Sequence, residues 1–163
     1  MDGTQLTVVK DDKKRPVLVV DLISFVEDDA TFFELIELGN TLLEGGNKRV
    51  QGTMYARLSD TTGDAGEQQR FFDRLNDRIE RASAALTVAG QRKEDAGEHR
   101  PMVMLFRFLQ LLCEDQNADM QELLRDQQCP GSENIVEATT AFLAALVPTE
   151  VVPATVELCS QVL

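Results

Sequence analysis

Few groups in this chain are equipped for chemistry. The cysteines are Cys113, Cys129 and Cys159, and the one histidine is His99. An odd cysteine count with no Cys-x-x-Cys pair argues against a disulfide framework and against a structural zinc site. Nucleophilic catalysis needs a thiol or hydroxyl beside a base. His99 stands beside Arg100 in a polar stretch, and Cys113 falls on the apolar face of a helix, where a thiol packs and does not react. Asp73 and Asp77 are spaced to share a helix face, as a metal-binding or acid–base pair would be. Arg74 and Arg78 are interleaved with them, which makes an ion-pair network the better reading. The acidic stretch 60–67 lacks the alternating ligands and distal glutamate of a calcium-binding helix–loop–helix. There is no phosphate loop and no triad pattern, so the expectation is a protein that is not an enzyme.

Glu114 is set apart by its place. It closes an almost wholly apolar run, LFRFLQLLC, and is followed by Asp115 and Asn117. A carboxylate at a helix C-terminus is mildly unfavourable, because the helix dipole is already negative there. A cation site built from oxygen ligands would make use of it. A solvated helix end is the plainer alternative.

The elements that position these groups read as helices. VLVVDLISFV at 17–26 suits either a buried strand or a short helix opened by Pro16. Glu27, Asp28 and Asp29 follow it where a nucleotide-binding strand would need a glycine-rich turn. Asp28 or Asp29 caps the next helix, with two stripes at helical spacing: Phe32, Leu35, Leu38, Leu42 and Phe32, Ile36, Leu43. Gly45-Gly46 ends it, and Asn47 caps a helix carrying Val50, Met54, Tyr55 and Leu58. A long helix is predicted over 68–89, with Phe71, Leu75, Ile79, Ala82 and Leu86 inward. Asp73, Arg74, Asp77, Arg78 and Arg81 form its solvent face. Pro101 opens the run that ends at Glu114, and Asn117 caps a short helix carrying Leu123 and Leu124. Ser132 is the expected cap of a helix stopped by Pro148. A last helix carries Val152, Val156, Cys159 and Leu163. The expected architecture is all-α: an α-solenoid (armadillo-like) or irregular bundle of about seven helices, with no strict repeat evident.

Composition bounds the rest. The 163 residues suit one domain, with 1–15 a polar tail and 16–163 a single helical module. Hydrophobic residues at 43% supply a core, and with aromatics at 6% and no Trp that core must be largely aliphatic. A formal charge of -12 repels phosphate backbones, so nucleic acid is not an expected partner. No signal peptide opens the chain and no apolar run is long enough to span a membrane, so a soluble, cytoplasmic protein is expected.

The wording of the segments adds a resemblance. LFRFLQLLCEDQN followed by DMQELLRDQ resembles a stretch of the inositol trisphosphate and ryanodine receptors, in the module named for association with their homology domain. LVVDLI, LLEGGN, VQGTMYARL, FFDRL and NIVEATTAFLAAL are similar to the same family in the same order, over about residues 17–146. LLEGGN resembles the inositol trisphosphate branch.

The resemblance implies a cytosolic helical solenoid of a tetrameric calcium-release channel of the endoplasmic reticulum. That solenoid would couple ligand and calcium binding to the pore, with the channel's other domains and subunits as partners. The family's glutamate in Leu-Leu-Cys-Glu is a calcium ligand, which carries over to Glu114. The sequence departs from the family in two places. Gln116 stands where the family has a histidine. Gln161 stands near where a second ligand glutamate falls in a Leu-Thr-Glu-Tyr stretch. A further ligand comes from near the pore. Only a partial, weak calcium site is therefore expected, from Glu114 with Asp115 nearby. The other expectation is a free-standing interaction scaffold that kept the fold without the channel.

Overall fold

A computed structural model describes residues 14–60, 65–89 and 100–146. These form seven α-helices in order: α1 Lys14–Phe25, α2 Asp29–Leu43, α3 Lys48–Leu58, α4 Ala65–Ala89, α5 Arg100–Cys113, α6 Ala118–Arg125 and α7 Ile135–Leu146. A 3-10 turn, Glu114–Gln116, joins α5 to α6. There is no strand among the described residues, and the stretch 17–26 is helix as far as Phe25. The last expected helix and Pro148 lie outside the described residues, as do His99, Cys159 and Gln161.

The helices stack in two like units. α2, α3 and α4 follow one another as α5, α6 and α7 do, and α2 packs on α5 while α4 packs on α7. The seam between α2 and α5 is close because Gly39 carries no side chain. A Cβ there would lie 2.6 Å from the Phe108 ring. Within the second unit Phe106 of α5 reaches Phe142 of α7, ring centroids 5.0 Å apart. Phe71, Phe72, Leu75 and Ile79 of α4 fill the interior. Helix α1 lies across all three members of the first unit. Such layering of units makes an all-α bundle with one continuous apolar core, as the all-α expectation required.

Three details differ from the sequence reading. Of the two stripes on α2, the one through Ile36 and Leu43 is buried, while Leu38 is exposed. Asn134, not Ser132, caps α7: its Oδ1 accepts from Glu137 N at 3.0 Å, while the Ser132 hydroxyl bonds within the preceding turn. Arg78 is not on a solvent face, being only 3% exposed. Its guanidinium lies 3.8 Å above the Phe32 ring and donates to the carbonyls of Glu27 and Arg74. Asp29 at 3.3 Å compensates its charge. Burial pushes the arginine's pKa down, and the neighbouring Asp29 opposes that shift. A cation sealed over an aromatic face this way contributes about 1–2 kcal/mol. Arg81 clasps the same aspartate with two hydrogen bonds and also meets Asp77, as an ion-pair network on this face requires.

Candidate cation site

The site is a corner between helices, and the fold contains that corner twice. Leu42-Leu43-Glu44-Gly45-Gly46-Asn47 joins α2 to α3, and Leu112-Cys113-Glu114-Asp115-Gln116-Asn117 joins α5 to α6. In both, two successive residues turn left-handed: Gly45 and Gly46 at φ 76 and 68, Asp115 and Gln116 at φ 60 and 60. In both, one asparagine closes the old helix and opens the new one. The Asn47 amide donates to Leu42 O at 3.4 Å while its Oδ1 accepts from Val50 N at 3.2 Å. The Asn117 amide donates to Leu112 O at 3.1 Å while its Oδ1 accepts from Met120 N at 3.3 Å. A helix end exposes carbonyls that need partners, and these side chains supply them.

The corners differ in what they carry. The first uses glycine, which adopts a left-handed turn at no steric cost. The second uses Asp115 and Gln116, for which such a turn costs about 1–2 kcal/mol each, somewhat less for an aspartate. Strain of this kind gathers where a site needs particular side chains.

Glu114 itself belongs to the turn, one residue beyond the end of α5. One of its carboxylate oxygens, Oε2, is buried and has no hydrogen-bond partner. Gly46 of the first corner lies beside this oxygen. A Cβ on Gly46 would lie 3.7 Å from Glu114 Oε2 and 3.7 Å from Asp115 Oδ2, so both carboxylates look into one spot beside the first corner. The Lys48 ammonium stands 3.4 Å from Asp115 Oδ2, on the exposed side.

The Glu114 side chain is half-buried with one buried, unpartnered oxygen, while Asp115 is exposed at the turn. An all-oxygen pair with an orphaned anion suits a hard cation such as calcium. Glu114 and Asp115 are the residues that would hold it. Among the described residues no three acidic, histidine or cysteine side chains converge as a metal cluster.

The remaining candidates are structural. Asp73 accepts from Gln69, and Asp77 pairs with Arg81. Cys113 is half-buried and its thiol is pushed up to about 11 by burial, which leaves it unreactive at neutral pH. Cys129 donates its thiol to Gln69 Oε1. No helix among the described residues is long and apolar enough to cross a membrane.

The sequence reading missed Gln51, which the fold brings beneath the second corner. It is 3% exposed, and its Nε2 donates to Leu111 O at 2.7 Å and Glu114 O at 3.3 Å. A signal for it existed. The spacing Leu-x-Glu-x-x-Asn-x-x-x-Gln occurs at Leu42, Glu44, Asn47, Gln51 and again at Leu112, Glu114, Asn117, Gln121.

A stacked helical module with an acidic corner is the class that this fold and site define. Residues 97–163 match the family model described as RyR and IP3R Homology associated. The match takes in Glu114 and helices α5 to α7, and it is to the family that the wording of α5 and α6 led us to expect.

Proposed function

We propose that this chain is a cytosolic coupling module of an intracellular calcium-release channel, and that Glu114 gives one ligand to a regulatory calcium site. The module is non-catalytic and works on the cytosolic face of the endoplasmic reticulum, among the other domains and subunits of a tetramer. The orphaned, buried Oε2 of Glu114 beside Asp115 carries this reading. Calcium bound there would neutralise two carboxylates that now stand close together at a strained turn. The ligands missing from this chain would come from a neighbouring part of the channel. Occupancy would then tie this corner to that neighbour, and the stacked helices behind it would move as a block.

The test is calcium dependence of channel opening in the full assembly with Glu114→Gln. That substitution keeps the shape and removes the charge. The expected outcome is a shift of the activating range to higher calcium by about tenfold or more, since a ligating carboxylate is lost. Unchanged calcium dependence rejects the ligand role.

A free-standing helical scaffold is the second reading, favoured by one observation. Leu18, Leu22 and Phe25, on one side of α1, are 56%, 44% and 52% exposed, an apolar side that asks for a helical neighbour. The reading frame that flanks this chain separates the two. Downstream apolar spans of about 20 residues mark a channel.

A further inference from the structure

The two corners are not merely alike, for the first unit builds the floor of the second corner. Helix α5 ends in carbonyls that the left-handed turn at Asp115 and Gln116 leaves in need of donors. Asn117 serves Leu112 O through its side chain and Cys113 O through its backbone N–H at 3.4 Å. Leu111 O and Glu114 O receive hydrogen bonds from a different unit, through the single amide of Gln51 on α3. The equivalent glutamine of the second unit, Gln121, is exposed, so burial of Gln51 comes from the stacking of one unit on the other.

We propose that Gln51 is the positioning residue of the Glu114 corner: its amide fixes the backbone of Glu114 across the seam between the units, and so sets where the unpartnered carboxylate points. This rests on the reading of Glu114 as a calcium ligand and adds what governs that ligand. Affinity at the corner then depends on how α3 sits beneath it, and any shift of one unit over the other reaches the site through one side chain.

Calcium titration of the full assembly, in which the neighbouring ligands are present, tests this with four versions of this chain: unmodified, Glu114→Gln, Gln51→Met and Asn40→Leu. Gln51→Met keeps the side-chain length and removes the donors. Asn40→Leu is the matched control, because the Asn40 amide also crosses to α5, donating to Met104 O at 3.0 Å, far from the turn. The expected result is loss of binding in Glu114→Gln and a loss of about tenfold in Gln51→Met, the size usual for groups that orient a metal ligand. Asn40→Leu should lose thermal stability as Gln51→Met does and keep its affinity. If Glu114→Gln loses binding while Gln51→Met keeps it, positioning by Gln51 is overturned and the ligand role of Glu114 stands. If the unmodified and Glu114→Gln assemblies bind calcium alike, the ligand role itself falls and the positioning role with it.

Should Gln51→Met not fold, the unmodified chain still decides. The side-chain amide signals of Gln51 in nitrogen-15 NMR should move with added calcium in step with the Glu114 backbone, while those of Gln121 stay in place. Stationary Gln51 signals during binding overturn the proposal.

Discussion

At the scale of residues, the corner balances one cation already present against one that would arrive. Lys48 holds its ammonium 3.4 Å from Asp115 Oδ2, and both groups are more than half exposed. Such a pair contributes little to stability, about 0–1 kcal/mol. It does place a positive charge where a divalent ion would be bound. Lys48→Met should therefore raise calcium affinity about two- to fivefold with almost no change in melting temperature, read by calorimetry and thermal unfolding on one sample. Glu114 stood out in the sequence by its position at the end of an apolar run, and only the family resemblance suggested a ligand role for it. Its neighbours were not: Gly46, Lys48 and Gln51 lie in another unit, and no property of α3 alone shows that it will sit beneath α5. Arg78 was misplaced for a related reason. Helical spacing puts it beside Asp77 and Arg81, and only the approach of Phe32 and the α1–α2 connection buries it.

At the scale of elements, the two corners compare a relaxed turn with a strained one. Asp115→Gly and Gln116→Gly bring the second corner toward the glycine chemistry of the first. Each should stabilise the fold by about 1 kcal/mol, the cost of a left-handed residue with a Cβ. Chemical denaturation measures it. Their effects on calcium should part, since Asp115→Gly removes a carboxylate from the site while Gln116→Gly leaves both in place. A loss of affinity in Gln116→Gly equal to that in Asp115→Gly would mean that turn geometry, not the second carboxylate, matters there. The helices themselves were readable in sequence, because glycine and asparagine mark the corners and apolar spacing marks the faces. The cap of α7 was assigned two residues early, because Ser132 and Asn134 are both good caps. The turn around Gln127 uses the serine hydroxyl for its own hydrogen bonds.

At the scale of the whole molecule, the duplication of long helix, short helix and third helix is the feature least visible in the sequence. Matching positions keep their burial more than their identity: Phe32 and Met102, Ile36 and Phe106, Val50 and Met120, Met54 and Leu124 are all buried. Packing needs volume and polarity at those points, not one residue type. The apolar side of α1 gives a prediction at this scale. Leu22→Glu should leave thermal unfolding of the chain unchanged within about 0.5 kcal/mol, as for an exposed position. On the proposed channel reading it should weaken assembly with the channel's other helical domains, followed by size-exclusion chromatography of the mixed components. Equal assembly would show that this side is not the contact surface.

Layered units have one more property. Each layer here leans on the next through a few seams, Gly39 against Phe108 among them. Loss of order at one end therefore need not travel through the whole, and amide hydrogens should exchange at graded rates, slowest where both layers meet. The acidic corner lies next to that slow zone. A signal arriving there would thus meet the part of the molecule that yields last.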